Sequence, residues 1–430
     1  MIDVAALGRL LGGDVTDLAP MLGGASRETW SFARDGRPLV LRRDPPGAVR
    51  GGAMEREAAL LRAAAAAGVP VPEVLAASDD PSALGSPWLV MERLYGETIA
   101  RRILRDEQYA DARGRLTGQL GSSLAALHSA AVEVPGLPED EDVLASMRGL
   151  LDAATEPHPA LELGLRRLAA NRPAPTGRTV VHGDCRLGNV MVDRYGLVGV
   201  LDWELAHVGD PAEDLGWLCV RSWRFGGQLP VAGVGTREEL LSSYAAAGGR
   251  EIDLATLAWW EAYGTLRWAV ICVQQAAAHL TGAVRSVELA TIGRRVCEVE
   301  LDLLDLVLGP AAIEPDPAAK PVPGPHDRPT AGELLEAVRE WLGGVELGGR
   351  DAFLARVADR ALQTVERELA LGPVLAEWHA QRLAGLGMAS DDELAAAIRA
   401  GETSAQVAEA VRDAVIDKLR VADPTQLRDR

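Results

Sequence analysis

Cysteine is scarce and scattered. Cys185, Cys219, Cys272 and Cys297 form no CxxC pair and have no histidine at ligand spacing, which argues against a zinc site or a disulfide framework and fits a reducing cytoplasm. Positive charge is also in short supply. Against 62 acidic residues stand 44 basic ones, a formal charge of -18, so the molecule repels phosphate backbones and anionic lipid surfaces. Neither nucleic acid nor membrane is an expected partner, and the acidic excess reads as a solvated surface rather than a tuned cleft. No apolar run reaches the ~18 residues needed to span a bilayer, and the N-terminus lacks a basic segment followed by an apolar one. The chain also lacks an internal repeat and a complete GxGxxG motif.

What is present is the balance of a soluble globular protein: 430 residues, 48% hydrophobic and 25% charged, enough for two or three domains. The stretch Gly309 to Thr330 is dense in proline and cannot sustain a helix or a central strand, so it reads as a linker. Beyond it, Thr330 and Glu333 form a capping-box pattern before LLEAVREWL, and apolar periodicity at Phe353 to Leu371 and Glu393 to Ile398 predicts a small helical tail.

Before the linker, strand-like runs Thr29 to Ala33 and Leu39 to Arg42 flank Asp35-Gly36, and Gly36 offers the positive φ of a tight hairpin turn. Met54 to Ala66 reads as a helix ended by Gly68 and Pro70, and Trp88 to Arg93 as another strand. From about Asp111 the pattern is helical, interrupted by Val180 to His182 and by a hairpin of Val190 to Asp193 and Leu197 to Leu201.

The densest chemistry is His182-Gly-Asp184-Cys-Arg186-Leu-Gly-Asn189, followed past the hairpin by Leu201-Asp202-Trp203-Glu204. Phosphoryl transfer asks a protein for a base to take a hydroxyl proton and for oxygen ligands that bring magnesium onto phosphate oxygens. Asp184 suits the first task, and Asn189 and Asp202 the second. Thirteen residues separate those two, enough for one hairpin to return both to the same ion. Magnesium keeps several waters, so one amide and one carboxylate suffice.

This ordered set resembles the aminoglycoside phosphotransferase and choline kinase superfamily, distant relatives of the protein kinases, whose catalytic loop reads HxDxxxxN. The resemblance implies an α+β, bilobal protein-kinase-like fold: a small antiparallel-sheet lobe at residues 1–94 that binds nucleotide and a mostly helical lobe at 95–308 with the catalytic loop and acceptor site. A linker at 309–329 and an all-α domain of unknown role at 330–430 complete the map. It also implies an ATP- and magnesium-dependent transfer to a hydroxyl of a small molecule.

Residue by residue, the resemblance makes Asp184 the catalytic base and Asn189 and Asp202 the metal ligands. Arg186 either stabilises transition-state charge or holds the loop. Leu22 to Thr29, with Gly24 and Ser26, matches the loop that covers the phosphates. Arg42 stands where the phosphate-binding strand lysine is usual, a departure that alters reach and hydration, and Glu57 matches its helix partner. The backbone of Glu92 and Leu94 would meet the adenine edge. Asp210 and Asp214 are expected to brace the loop, and His128 to be packed or hydrogen-bonded.

Wording such as LVLRRDPPG and GDPAEDLGWL is most like kinase-like domains fused to acyl-CoA dehydrogenases, which suggests a hydroxyacyl-CoA-like acceptor. An aminoglycoside, sugar or choline-type kinase is the alternative. A catalytically silent pseudokinase is the reading from another class. The tail helices would brace the acceptor lobe or mediate homodimerisation.

Overall fold

The computed structural model describes the chain except residues 1, 22–26, 46–52, 131–133, 155, 311, 318–328 and 429–430. Contacts divide it into two compact units, Met1–Glu141 with Pro173–Glu261, and Asp142–Arg172 with Ala262–Arg430.

In the first unit, strands β1 (Val15–Pro20), β2 (Glu28–Arg34), β3 (Arg37–Arg43), β4 (Val74–Ser78) and β5 (Trp88–Glu92) form an antiparallel sheet in the order β1-β2-β3-β5-β4. The β2–β3 turn falls at Asp35 (φ 51°) and Gly36 (φ 78°), the left-handed pair that matches the twist of a two-residue hairpin. Alternation sends Phe32, Leu39, Leu41, Trp88 and Val90 to one face, where they pack with Leu7. Val40, Leu89 and Met91 go to the other, where Met54, Ala58 and Leu61 of the helix Ala53–Ala66 cover them. The strands that the sequence did not reveal in this sheet, β1 and β4, are its two edges. Each carries a register shift, and β1 holds Asp17 at φ 56° and ends in Pro20, which is how edges are kept from pairing further and why their alternation is blurred.

Further along the same unit, β6 (Thr179–Val181) pairs with β9 (His207–Gly209), and β7 (Val190–Asp193) with β8 (Gly196–Val200), both antiparallel. The helix Ala110–Ser129 packs Leu116, Leu120 and Leu124 into a core with Leu187, Val190, Val192, Leu215 and Leu218. That core fixes the segment between β6 and β7 from behind. No helix among the described residues is long and apolar enough to cross a membrane.

The second unit is helical. Ala160 and Leu163, from the helix Pro159–Ala170, and Leu301 and Leu304, from Val296–Leu308, share one core with Leu383, Leu394, Ile398, Val411, Val415 and Leu419 of the tail. A Cβ at Gly164 would stand 2.4 Å from Leu303 Cδ2, so a larger residue there would have to push the Leu303 side chain aside. Glu162, almost wholly buried, accepts from Arg148 and from Arg399 of the tail at 2.6 Å each. Burial pushes its pKa up, but those two guanidinium hydrogen bonds and charges bring it below the usual value. The expected capping box is present: Glu333 N–H donates to Thr330 Oγ1 and Thr330 N–H to the Glu333 carboxylate. Phe353 to Leu371 falls inside one helix, Gly349–Gly385, that runs on through Pro373.

This grouping differs from the sequential segments expected from the sequence, because residues 142–172 and the tail bury complementary faces of one core. Each large aliphatic side chain uncovered there forfeits about 1.5–3 kcal/mol. A chain ending at Leu308 is therefore expected to aggregate or to melt at a clearly lower temperature than the full chain. Sedimentation and calorimetry check this, and a monomeric truncate with the full-length melting temperature would contradict it.

Candidate active site

The loop His182–Asn189 leaves β6 under the control of one carboxylate. Asp214 accepts the N–H of His182 at 2.7 Å and of Gly183 at 2.9 Å. Gly183 has φ +75°, and a Cβ there would lie 2.4 Å from Leu205 O. Cys185 and Leu187 point into the core and anchor the loop. His182 Nδ1 accepts the Asp184 N–H at 3.1 Å and Nε2–H donates to Leu201 C=O at 3.0 Å, which assigns the neutral ring. Asp214 also meets His128 Nε2 at 3.1 Å, and His128 Nδ1 meets the Tyr244 hydroxyl at 3.0 Å. His128 is thus hydrogen-bonded on both ring nitrogens. Asp210 accepts the Ala212 N–H at 2.9 Å and so opens the helix Ala212–Cys219 that carries Asp214.

The Asp184 carboxylate has three donors. Trp217 Nε1–H at 2.9 Å and Arg186 Nε–H at 3.0 Å reach Oδ1, while Asn189 Nδ2–H reaches Oδ2 at 2.5 Å. The Arg186 guanidinium lies 4.6 Å over the Trp223 ring, and Trp223 packs on Trp217 with centroids 5.2 Å apart. Arg186 uses Nε here, so its terminal nitrogens are the part that can meet an anion.

The β7–β8 hairpin returns the chain as the spacing predicted. Val190 faces Val200, and Leu201 N–H donates to Asn189 C=O at 2.8 Å, which makes Asn189 and Asp202 neighbours at the open end of the hairpin. Asp202 has φ +63°, a left-handed conformation that a residue other than glycine adopts at a cost. With Nδ2 committed to Asp184, the amide oxygen of Asn189 is the atom that could meet a metal. Oxygen-only donors, one carboxylate and one amide, suit magnesium with its waters. Among the described residues no group of three or more His, Cys, Asp or Glu is placed to hold a metal, so a closed all-protein cage of such ligands is not what this site offers.

Arg42, on β3, spans two carboxylates: NH1 donates to Glu57 Oε1 at 2.5 Å and NH2 to Asp202 Oδ1 at 3.3 Å. The expected strand-to-helix pair therefore exists, with a link to Asp202 added. A second guanidinium, Arg27, buried at 7% exposure, donates to Glu57 Oε2 and, at 3.1 Å, to Asp44 Oδ1. Burial lowers the Arg27 pKa, but the charge and hydrogen bond of Glu57, with Asp44 and Glu204, raise it overall.

Glu92 ends β5, its N–H donating to Glu73 C=O at 2.8 Å. Leu94 packs on β8, where a Cβ at Gly199 would meet its Cδ1 at 2.5 Å. Glu97 exchanges backbone hydrogen bonds with Val192 at 2.8 and 3.0 Å, so the segment after β5 is seated on the hairpin. Gly24 and Ser26 lie outside the described residues. Sequence reasoning missed Trp217, Trp223 and Arg27. Trp217 could have been found, since it stands three residues after Asp214 and so shares its helix face.

A family model described as "Phosphotransferase enzyme family" matches residues 17–261, more than half of the chain. A second, "Domain of unknown function (DUF6285)", matches residues 345–426. The mouse (Mus musculus) acyl-CoA dehydrogenase family member 10 is 31% identical over 209 residues, which cover 46% of this chain and 20% of that protein. The chicken (Gallus gallus) acyl-CoA dehydrogenase family member 11 is 28% identical over 311 residues, 65% of this chain and 39% of that one. The chain thus spans well under half the length of these relatives. Among solved structures, a Ralstonia eutropha protein assigned provisionally as an aminoglycoside phosphotransferase superposes with a TM-score of 0.58 at 22% identity, covering 70% of this chain and 96% of its own. That likeness is one of fold.

Burial pushes the Asp214 pKa up, yet the hydrogen bond and charge of His128 and the backbone N–H of His182 hold it below the ordinary 3.8. Because the folded-state value lies below the unfolded one, its stabilisation is complete above about pH 5 and is lost as pH falls through the folded value. Asp214→Ala is expected to cost about 3 kcal/mol or more at pH 7. Denaturant titrations should show that gap narrowing below pH 3.8; a gap that widens on acidification would contradict the assignment.

Proposed function

Because the chain belongs to the phosphotransferase enzyme family, we propose that it transfers the γ-phosphoryl group of ATP, with magnesium, to a hydroxyl group of a small molecule. The observation that carries this reading is the convergence of Asp184, Asn189 and Asp202 on the open end of one hairpin, with Arg42 bound to Asp202. Asp184 takes the proton of the acceptor hydroxyl as the acceptor oxygen bonds to phosphorus. The bond from phosphorus to the bridging oxygen breaks, and its electron pair leaves with ADP. Asn189 and Asp202 would hold magnesium, which when bound neutralises phosphate charge. Arg42, steadied by Glu57, grips the α- and β-phosphates, and the backbone of Glu92 and Leu94 receives the adenine edge. Arg186 directs its terminal nitrogens to the transferred group while Nε stays on Asp184.

The acceptor proposed is a hydroxyacyl-CoA-like metabolite. Its support is that the relatives are named acyl-CoA dehydrogenase family members. An aminoglycoside, sugar or choline-type hydroxyl is the alternative, because fold and loop do not set the acceptor. One observation favours a silent binding module: the Arg42 guanidinium already occupies an oxygen of Asp202, as a metal would.

Magnesium-dependent thermal stabilisation by ATP, followed by ADP release across an acceptor panel, separates these readings. Asp202→Ala is expected to lose both the magnesium-dependent stabilisation and turnover. Asp184→Asn should keep nucleotide binding and lose about a hundredfold or more in turnover. Wild-type turnover in both variants would refute the roles. Efficient phosphorylation of aminoglycosides with no hydroxyacyl compound accepted would refute the acceptor.

Arg186→Lys keeps the charge but gives up the planar fork that lets one side chain serve Asp184, the Trp223 face and a phosphate together. A loss of about tenfold in kcat is expected for it, on the usual worth of a charge-assisted hydrogen bond, measured as initial rates at saturating magnesium ATP. An unchanged kcat would leave Arg186 as a loop holder.

A further inference from the structure

The two oxygens of Asp184 are unequally used. A carboxylate has about four lone-pair sites, two on each oxygen. Oδ1 accepts from both Trp217 and Arg186, whereas Oδ2 accepts from the Asn189 side chain. The site left for a hydroxyl proton is on Oδ2.

We propose that Trp217 is a positioning residue for phosphoryl transfer, its indole N–H pinning Oδ1 of Asp184 so that Oδ2 is presented to the acceptor hydroxyl. This rests on the phosphotransferase reading above. The indole nitrogen is a donor only, so it can hold an acceptor oxygen in just one sense. The Trp217 side chain is 2% exposed, and the neighbouring Gly216 lies so close to the backbone of Trp260 that a Cβ would stand 2.5 Å from its carbonyl carbon. The helix Ala212–Cys219 is therefore seated tightly. It sets the loop backbone through Asp214 and the carboxylate orientation through Trp217.

The second donor to Oδ1 is of another kind. Arg186 is a quarter exposed and stacked on Trp223, so it can shift toward a phosphate. With Arg186 Nε still on Oδ1, a pull from the phosphate would reach the base, and the Trp217 N–H, fixed in its helix, keeps the base from swinging with the arginine.

Trp217→Phe keeps the ring and removes the N–H. The expected result in the full chain is a fall in kcat of about ten- to a hundredfold, the cost of a misoriented catalytic group, with KM for magnesium ATP within about twofold and the melting temperature nearly unchanged. In 15N,13C-labelled protein, the Trp217 indole signal, assigned by triple-resonance NMR, should shift in Asp184→Asn. An unchanged kcat, a KM that rises as much as kcat falls, or an indole signal indifferent to Asp184→Asn would each overturn the assignment, the last without requiring that Trp217→Phe fold well. Wild-type turnover in Asp184→Asn would defeat the phosphotransferase reading itself. An inactive Asp184→Asn beside a fully active Trp217→Phe would defeat the role of Trp217 alone.

Discussion

The site hangs on a carboxylate with no access to solvent. Asp214 could not be buried without compensation, since taking an ion of this size out of water costs several kcal/mol. Its compensation is structural: two backbone N–H groups of the loop His182–Asn189 and the ring of His128. Through His128 and Tyr244 the same carboxylate ties together the helices Ala110–Ser129, Ala212–Cys219 and Arg237–Ala246. The direction in which Asp184 leaves the loop is thus fixed by core packing that lies behind the chemistry. In the role of base proposed for it, Asp184 needs that rigidity, because small errors in placement cost large factors in rate.

Much of this was legible in the chain because the signals are local. The spacing from Asn189 to Asp202 is a hairpin's length, and the register of β7 on β8 is what brings the two side by side. Asparagine is otherwise found only at Asn171, the residue closing the helix Pro159–Ala170, so its presence in the loop was informative. The pair Arg42 and Glu57 was legible from a strand followed by a helix. What escaped notice depends on tertiary approach. Arg27 reaches Glu57 and Asp44 across 30 and 17 residues, and no periodicity announces that. Edge strands β1 and β4 carry irregular registers that blur the alternation by which strands are recognised. Trp217 was visible as a residue of an apolar helix, but its N–H could be assigned to Asp184 only once the loop had a shape.

Arginine in place of lysine on β3 has a physical consequence. The first 319 residues hold no lysine, so positive charge offered to a nucleotide by that part of the chain would come from guanidinium groups. A planar fork can serve two carboxylates from two nitrogens, as Arg42 does with Glu57 and Asp202, where an ammonium group acts as a compact point charge. Engaging phosphate would require Arg42 to give up Asp202, and the hairpin-end carboxylate would then be available to a metal. Glu57, 3% exposed, would not be left as an uncompensated buried charge in that exchange, because Arg27 holds its other oxygen. The second arginine explains how so buried a glutamate can tolerate a partner that must move.

The reach of sequence similarity and the reach of a folding unit do not coincide here. The phosphotransferase match ends at residue 261 and contains residues 142–172, yet those residues bury their apolar face with the tail. Charge makes the same point. Glu300, on the helix Val296–Leu308, is 1% exposed. Burial drives its pKa up, while the charge of Lys418 and the hydrogen bond and charge of His158 hold it below the usual carboxylate value. Lys418 belongs to the tail helix Ala405–Ala422, and its own pKa is raised chiefly by Glu300, against the effect of burial. An ionised glutamate in that core needs its countercharge, since an unpaired buried ion costs more than the pair contributes. The tail supplies that charge together with the apolar cover, so the second unit is a single folding problem solved by both ends of its sequence.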